Sequence, residues 1–350
     1  MPYDIPAPML AKAVATVPDP AAVPGGLAFE PKWDGFRALI SWDGTDVEIG
    51  SRGAKPLTRH FPELVAACAA LLPERCLLDG EIVVALPGPD GSRRLSWETL
   101  SQRIHPAASR VELLSVETPA MFVAFDLLAR GDRDLQPQPF SERRAALEEL
   151  LAGVPSPLHV TRTTRDRALA EQWLERFEGA GLDGVVAKPL DQPYAPAKRT
   201  LFKVKHARTA DVVLLGYRVH RSGVGVGSLL LGLYDDEDGG ELRNVGGASA
   251  FSDARRRELV DELAPLVITD AEGAAVTGAT ERSRFSASKD TSFVRLRPER
   301  VLEVRYDQLE GRRFRHTVQF ERWRPDRDPR SCTFDQLDQV AAYDLADVLD

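Results

Sequence analysis

The sequence predicts an α+β protein built from two domains, and three observations support this. The chain has 350 residues, which is enough for two domains of ordinary size. From Leu27 to about residue 206, short apolar runs typical of strands alternate with stretches that carry apolar residues at helical spacing. After Arg208, short strand-like runs follow one another with glycine-rich turns and a single helical stretch, which indicates a small β-barrel of the OB type. We therefore predict a first domain over 1–207, an OB-fold domain over 208–335 and a C-terminal tail over 336–350.

In the first domain, apolar and β-branched runs predict the strands, and apolar residues three or four positions apart predict the helices. The predicted strands are 27–31, 36–42, 46–51, 76–85, 121–128, 183–188 and 202–205. The predicted helices are 61–72, 141–151 and 167–179. Residues 1–26 are rich in proline and alanine and predict an extended lead-in.

The second domain is predicted on the same signals. Its predicted strands are 212–219, 228–234, 242–246, 301–306 and 314–320. One helix is predicted over 253–266, and the tail after residue 333 is predicted to be helical and acidic.

Composition excludes several classes of protein. No apolar run is long enough to span a bilayer, and the start of the chain lacks the basic and apolar regions of a signal peptide, so no membrane association is expected. The three cysteines Cys68, Cys76 and Cys332 are an odd number without CxxC spacing. They predict neither a disulfide framework nor a zinc site, and a reducing cytoplasm is the expected location.

Charge alone does not identify a partner. The formal net charge of −8 argues mildly against a partner made only of phosphate, but binding depends on where the charge lies. Arginine recurs densely between Arg295 and Arg330, with acidic residues interleaved. This pattern fits bidentate phosphate contacts, and it also fits a surface of salt bridges.

The segment from Glu30 to Arg37, Glu-Pro-Lys-Trp-Asp-Gly-Phe-Arg, is the first candidate for chemistry. It places Lys32 at a strand edge beside an Asp-Gly turn, where the amine can face a ligand. A lysine must lose its proton to act as a nucleophile, and burial and neighbouring cations favour that loss. Taken alone, so short a motif favours a simple hairpin turn with a solvated lysine.

Further blocks carry polar residues in otherwise apolar or turn-forming segments. They are 51–53, 78–83, 122–128, 182–188, 201–205 and 320–327. A carboxylate on the apolar strand 78–83 needs a polar partner, either a ligand hydroxyl or a structural arginine. Lys203 and Lys205 share one strand face by period-two alternation, and a polyanion relieves the repulsion between them. Each block also has an ordinary structural explanation, such as a turn, a salt bridge or a core aromatic.

Together, in this order, the blocks resemble those of the ATP-dependent DNA ligases, which share the covalent nucleotidyltransferase superfamily with the mRNA capping enzymes. The likeness is to the small actinobacterial LigC-type ligases, and it covers about residues 8–335. It implies a nucleotidyltransferase (ATP-grasp-like) adenylation domain followed by an OB-fold β-barrel domain. It also implies that Lys32 is the catalytic residue, which attacks ATP and carries AMP covalently.

The resemblance assigns the nucleotide contacts to residues of both domains: Glu30, Arg37, Arg52, Glu81, Phe125, Lys188, Lys203, Lys205, Arg324 and Arg327. Among them, Glu30 reads the adenine, Phe125 stacks on the purine and Glu81 binds the ribose. Asp183, together with Glu81, is expected to hold the divalent ion, Mg²⁺ or Mn²⁺. Two positions depart from the family pattern, because Asp183 replaces a glutamate and Arg327 replaces a lysine.

The implied function is the sealing of nicks in duplex DNA, in DNA repair, through lysyl-AMP and DNA-adenylate. The implied partners are nicked double-stranded DNA, with which the protein associates in the nucleoid, and repair proteins; a monomer is expected. Three alternatives stay open on the sequence. They are an RNA ligase or capping guanylyltransferase, a non-catalytic OB-fold module that binds single strands, and an acidic scaffold protein.

Overall fold

The structure is a computed structural model that describes residues 3–53, 55–88, 91–206, 208–235, 240–280, 291–337 and 342–349. It divides into two compact units. The first comprises Met1–Lys205 together with Val340–Asp350, and the second is His206–Gln339.

The first unit is built on strands β1 to β12. These are β1 (Leu10–Ala13), β2 (Leu27–Pro31), β3 (Phe36–Trp42), β4 (Val47–Ser51), β5 (Cys76–Val83), β6 (Ala85–Pro87), β7 (Arg93–Leu95), β8 (Met121–Arg130), β9 (Arg133–Asp134), β10 (Leu158–Val160), β11 (Val185–Pro189) and β12 (Arg199–Val204). One sheet has four strands in the order β1-β12-β11-β2. A second has six, in the order β10-β8-β5-β3-β4 with β9 beside β8. The short strands β6 and β7 form a separate hairpin.

Five helices accompany these sheets: α1 (Pro62–Leu71), α2 (Trp97–Ser101), α3 (Ala108–Glu117), α4 (Phe140–Leu150) and α5 (Arg167–Arg176). Helix α1 buries Leu64 and Cys68 in a core shared with the six-stranded sheet. Helix α5 buries Ala170 and Trp173 in a second core, with Phe29 of the four-stranded sheet. Each sheet thus has an apolar face covered by helices, as burial of its side chains requires.

The lead-in of the chain is partly a strand, which the sequence did not predict. Strand β1 pairs in parallel with β12, so Leu10–Ala13 lies at the edge of the four-stranded sheet. Its sequence, Leu-Ala-Lys-Ala, has no β-branched residue, and its strand conformation comes from pairing with a segment almost 190 residues away. Helices α2 and α3 were also not predicted.

In its described ranges, the second unit contains strands β13 to β21 and helix α6. These are β13 (Arg208–Val219), β14 (Val226–Asp235), β15 (Glu241–Ala248), α6 (Asp253–Leu263), β16 (Thr277–Ala279), β17 (Ser292–Arg295), β18 (Val301–Tyr306), β19 (Leu309–Glu310), β20 (Arg313–Phe314) and β21 (Gln319–Trp323). Strand β13 pairs with β14 on one side and β18 on the other, β14 pairs with β15, and β18 pairs with β21. The bridge between Ala248 and Val318 links the end of β15 to the start of β21 and closes the barrel.

The predicted strand 314–320 is two strands. Residues 313–314 pair with 309–310 across a turn at Gly311, whose φ of +57° suits glycine. The chain then turns again before β21, which pairs with β18. The apolar spacing of Phe314, Val318 and Phe320 resembles one strand, but Val318 is part of the barrel closure instead.

The C-terminal segment returns to the first unit. It contains a short helix, α7 (Ala346–Leu349). Leu345 and Val348 are fully buried in the core that contains α5, and the ring of Tyr343 lies 5.3 Å from that of Phe177. The tail is therefore a packed part of that unit's core.

The three cysteines are free and buried. Burial raises the pKa of the Cys68 and Cys76 thiols to about 12 and that of Cys332 to about 11. These thiols are therefore protonated at neutral pH. None of the helices in the described ranges is long and apolar enough to cross a bilayer.

Candidate active site

Backbone pairing fixes the position of Lys32 at the end of β2. The Lys32 N–H donates to the carbonyl of Gly184 at 2.8 Å, and the Asp183 N–H donates to the carbonyl of Lys32 at 2.9 Å. Gly184 has a φ of +132°, and a Cβ there would lie 2.0 Å from the Val204 carbonyl oxygen. Only glycine fits this close approach to β12. The backbone pairing of Lys32 with Asp183 and Gly184 brings the side chains of Lys32 and Asp183 together.

Three lysines surround one carboxylate at this point. The amines of Lys32 and Lys205 both bond to Oδ2 of Asp183, the second at 2.9 Å. The Asp183 side chain is 5% exposed, whereas that of Lys32 is 20% exposed. Burial lowers the pKa of Lys203, and the charges of Lys32 and Lys205 act in the same direction. This excess of positive charge suits a ligand with several negative charges.

Lys32 lies on the wall of a cavity of about 200 Å³. Six basic side chains line it, against two acidic ones, Glu30 and Glu81, so the cavity favours an anion. The basic side chains are Lys32, Arg37, Arg52, Lys188, Arg199 and Lys203. The apolar part of the lining includes Phe125, Trp33 and Val186.

Glu30, Lys188 and Phe125 form one end of the cavity. Glu30 is 3% exposed, and its Oε2 lies 2.8 Å from Nζ of Lys188. The same amine donates to the Phe125 carbonyl at 2.9 Å and lies 4.6 Å from the centre of the Phe125 ring. Burial raises the pKa of Glu30 and lowers that of Lys188. An aromatic face beside an acceptor atom suits a flat base with an N–H group.

Arg37 lines the cavity, and an ion pair with Asp79 fixes the orientation of its guanidinium. Its Nε and Nη2 donate to the two oxygens of Asp79, both at 2.6 Å. Tyr194 also donates to Asp79, at 2.7 Å, so this fully buried carboxylate is satisfied within the protein. The guanidinium of Arg37 lies 4.5 Å from the centre of the Phe125 ring. Asp79 is thus a structural ion-pair partner, one of the two explanations that the sequence left open.

Glu81 is an acidic group whose pKa its surroundings change strongly. Burial raises its pKa to about 7, although Arg37 and Lys32 act in the opposite direction. A raised carboxyl pKa means that the folded state favours the protonated form. This contribution to stability is complete below the unfolded pKa of about 4.5 and is lost as the pH rises through 7.

We therefore expect Glu81→Gln, which imitates the protonated form, to change stability in a pH-dependent way. Relative to the wild type, the free energy of unfolding of the variant should increase between pH 4.5 and 7 and then level off. Urea denaturation at pH 4.5, 6 and 8 measures this. A difference that does not vary with pH would contradict the raised pKa.

The other predicted residues fall into two groups. Arg52 and Lys203 line the cavity, and Lys205 bonds to Asp183, the carboxylate that also pairs with Lys32. Arg324 and Arg327 lie in the second unit, where both pair with Asp211, at 3.0 and 3.2 Å. Their predicted contact with the nucleotide stays a prediction.

Several residues that line the cavity were not predicted from the sequence. Arg199, Leu201 and Lys203 alternate along β12 and all line it, so the period-two pattern that singled out Lys203 also points to Arg199. The same alternation on β11 places Val186 beside Lys188. Met9, in contrast, comes from the lead-in, which carried no signal for the site.

Two family profiles match the chain. The profile of the ATP dependent DNA ligase domain matches residues 8–205, which include the whole cavity. The profile of the ATP dependent DNA ligase C terminal region matches residues 222–327. The chain belongs to the ATP-dependent DNA ligase family. This confirms the predicted fold class, an adenylation domain followed by an OB-fold domain.

Close relatives cover almost the whole of this ligase. It is 56% identical to DNA ligase C2 of Mycolicibacterium smegmatis, over 95% of this chain and 94% of that protein. It is 52% identical to DNA ligase C of Mycobacterium tuberculosis, over 98% of this chain and 96% of that protein. A solved structure of a Lig E DNA ligase shares the fold at 18% identity, with a TM-score of 0.57 over 92% of this chain and all of that one.

Proposed function

We propose that this ligase seals nicks in duplex DNA with ATP, through an AMP group carried on Nζ of Lys32. The observation that carries the proposal is the position of Lys32. Its amine lies on the wall of a strongly basic cavity and bonds to Asp183, while Glu30 and Phe125 lie at one end of the same cavity. The triphosphate of ATP matches the basic side chains, and the adenine matches Glu30 and Phe125.

Each of the three steps is an in-line transfer at phosphorus. In the first, Nζ of Lys32 attacks the α-phosphorus of ATP, the bond to pyrophosphate breaks, and the amine gives up a proton, for which Asp183 is the adjacent acceptor. In the second, an oxygen of the DNA 5′-phosphate attacks the AMP phosphorus and releases Lys32. In the third, the 3′-hydroxyl gives up its proton and attacks the 5′-phosphorus, and AMP leaves.

Charge neutralisation and positioning dominate such transfers. Lys203 and Lys205 are close enough to Lys32 to stabilise negative charge that develops on the phosphates. Arg52 adds a further cation to the lining. The ion pair of Arg37 with Asp79 holds the arginine in one orientation, so little reorganisation accompanies the reaction.

A divalent ion would be held by Asp183 and Glu81. Carboxylate oxygens are the ligands that Mg²⁺ and Mn²⁺ prefer, and Mg²⁺ sites often use one or two of them together with substrate phosphates. Within the described ranges no group of three or more acidic, histidine or cysteine side chains could hold a metal ion alone, so phosphate oxygens must complete the site. When bound, the ion would neutralise charge on the phosphates.

Intact-mass spectrometry of the protein with ATP and Mg²⁺ tests the proposal. We expect a gain of one AMP that nicked DNA discharges, while the DNA becomes sealed. Discharge by nicked RNA but not by nicked DNA would favour an RNA ligase, and an adduct formed from GTP but not ATP would favour a capping enzyme. The protein must first be shown not to carry AMP already. After that control, the absence of any adduct would contradict the proposed chemistry.

The cellular setting is part of the proposal. Buried, protonated thiols without disulfides support a reducing compartment such as the cytoplasm. A role in DNA repair, with repair proteins as partners, and a monomeric state stay predictions from the sequence.

A further inference from the structure

Helix α4 places an arginine behind the Glu30 end of the cavity. Nη1 of Arg144 lies 3.9 Å from Oε1 of Glu30, and the Arg144 side chain is 11% exposed. Its Nη2 donates to the Thr161 carbonyl at 2.6 Å, and its Nε donates to Glu148 at 2.7 Å. Arg144 is not among the described residues that line the cavity, so it acts on a ligand there indirectly, through residues such as Glu30.

At this contact lie two buried polar atoms, Oε1 of Glu30 and Nη1 of Arg144. Neither has a hydrogen-bond partner in the described part of the chain. The other oxygen of Glu30 is bonded to Lys188. Buried polar atoms without partners are rare because they lose the hydrogen bonds that water would give them. At a ligand cavity, such an acceptor marks the position of a ligand donor.

Oε1 is purely an acceptor only while Glu30 is ionised. Burial raises the pKa of Glu30, and the nearby charge of Asp126 acts in the same direction. Lys188 and Arg144 oppose them. Burial also disfavours the charged form of Lys188 and so lowers its pKa. The guanidinium of Arg144 remains charged, which makes it the permanent counter-charge of Glu30.

We propose that Arg144 is a positioning residue that sets the choice of nucleobase, by holding Glu30 ionised with Oε1 directed at the base. In this state Oε1 accepts a hydrogen bond from the exocyclic amine of adenine. It cannot bond to the carbonyl oxygen of guanine, because both atoms are acceptors. A protonated Glu30 would instead donate a hydrogen bond to that oxygen. The inference rests on the proposed function, because it concerns the base of the nucleotide that Lys32 attacks.

The contacts of Arg144 also extend towards Lys32. Arg144 donates to the backbone of Thr161, whose hydroxyl accepts from Nε1 of Trp33 at 2.8 Å. Trp33 directly follows Lys32 and lines the cavity. A test must therefore separate the choice of base from the placement of Lys32.

The test compares Arg144→Met, which keeps an unbranched stem and removes the guanidinium with its charge, with the wild type. The kcat/KM of adduct formation is measured with ATP, with GTP and with purine riboside triphosphate, which lacks the amine. For the wild type we expect a preference for ATP over the amine-free analogue of about tenfold or more. In Arg144→Met this preference should be largely lost, mainly because the KM for ATP rises.

The pH profile gives a second readout. Without Arg144, Glu30 takes up a proton at a higher pH, because only Lys188 then opposes burial and Asp126. The preference of Arg144→Met for ATP over GTP should therefore decline further as the pH falls, over a range in which the wild type keeps its preference. Sealing of a nick that already carries AMP needs no ATP, so it shows whether Arg144→Met is folded and active.

Two further variants serve as controls. Glu148→Gln removes the exposed partner of Arg144 and should keep wild-type selectivity, whereas Arg144→Lys should restore part of it. Unchanged base selectivity and pH profile in Arg144→Met would overturn the proposal, as would an equal loss with ATP and the amine-free analogue at every pH. If the wild type forms no adduct, it is the proposed function that fails.

Discussion

Lys32→Arg is expected to lower the rate of AMP-adduct formation by on the order of 10⁴-fold or more. Arginine keeps a cation that can pair with Asp183, but its guanidinium does not lose its proton and cannot attack phosphorus. Lys32→Ala should be equally inactive. Intact mass after incubation with ATP and Mg²⁺ measures the adduct directly.

The control for this prediction is Lys12→Arg, at an exposed lysine of β1. It should form the adduct at the wild-type rate. An AMP adduct on Lys32→Arg would show that another amine is the nucleophile. Lys203 and Lys188 would be the first to check, because both line the same cavity.

Asp183→Asn is expected to slow adduct formation by about 10² to 10³-fold. The substitution removes the carboxylate that two lysine amines share and leaves a neutral amide as the ligand for a divalent ion. The concentration of Mg²⁺ that gives half-maximal rate should therefore rise. Rapid-quench measurement of adduct formation over a range of Mg²⁺ concentrations gives both quantities.

Asp183→Glu is the matched variant, because it restores the residue usual in the family and keeps the charge. We expect its rate to lie within about tenfold of the wild type, since only one methylene is added. If Asp183→Asn has the wild-type Mg²⁺ requirement, the carboxylate does not bind the ion. Asp183 would then serve only to hold the lysines.

Local patterns predicted much of the first unit and of its cavity. The strands that carry the site, β2 and β3, begin and end where their apolar runs do. The predicted residues Glu30, Lys32, Glu81, Phe125 and Lys188 all line one cavity. These side chains stand at strand ends or alternate along strands, so their positions follow from local spacing once the order of the blocks is known.

Features that depend on distant pairing were not predictable. Strand β1 has no strand-forming residues of its own and exists because β12 pairs with it. The contact of Arg144 with Glu30 joins a helix to a strand more than a hundred residues earlier, and on the sequence Arg144 looks like any charged residue of a surface helix. The pairing of Arg324 with Asp211 likewise brings together the two ends of the barrel sequence.

The return of residues 342–349 to the first unit has a practical consequence for dissecting this ligase. A fragment that stops at residue 205 would lack Leu345 and Val348, which are fully buried, and would expose the apolar side chains that they cover. Burial of two such side chains contributes about 3 to 6 kcal/mol, a large part of the stability of an ordinary domain. A catalytic fragment therefore needs this segment joined back by a linker, and a label attached at the C-terminus reports on the catalytic unit rather than on the barrel.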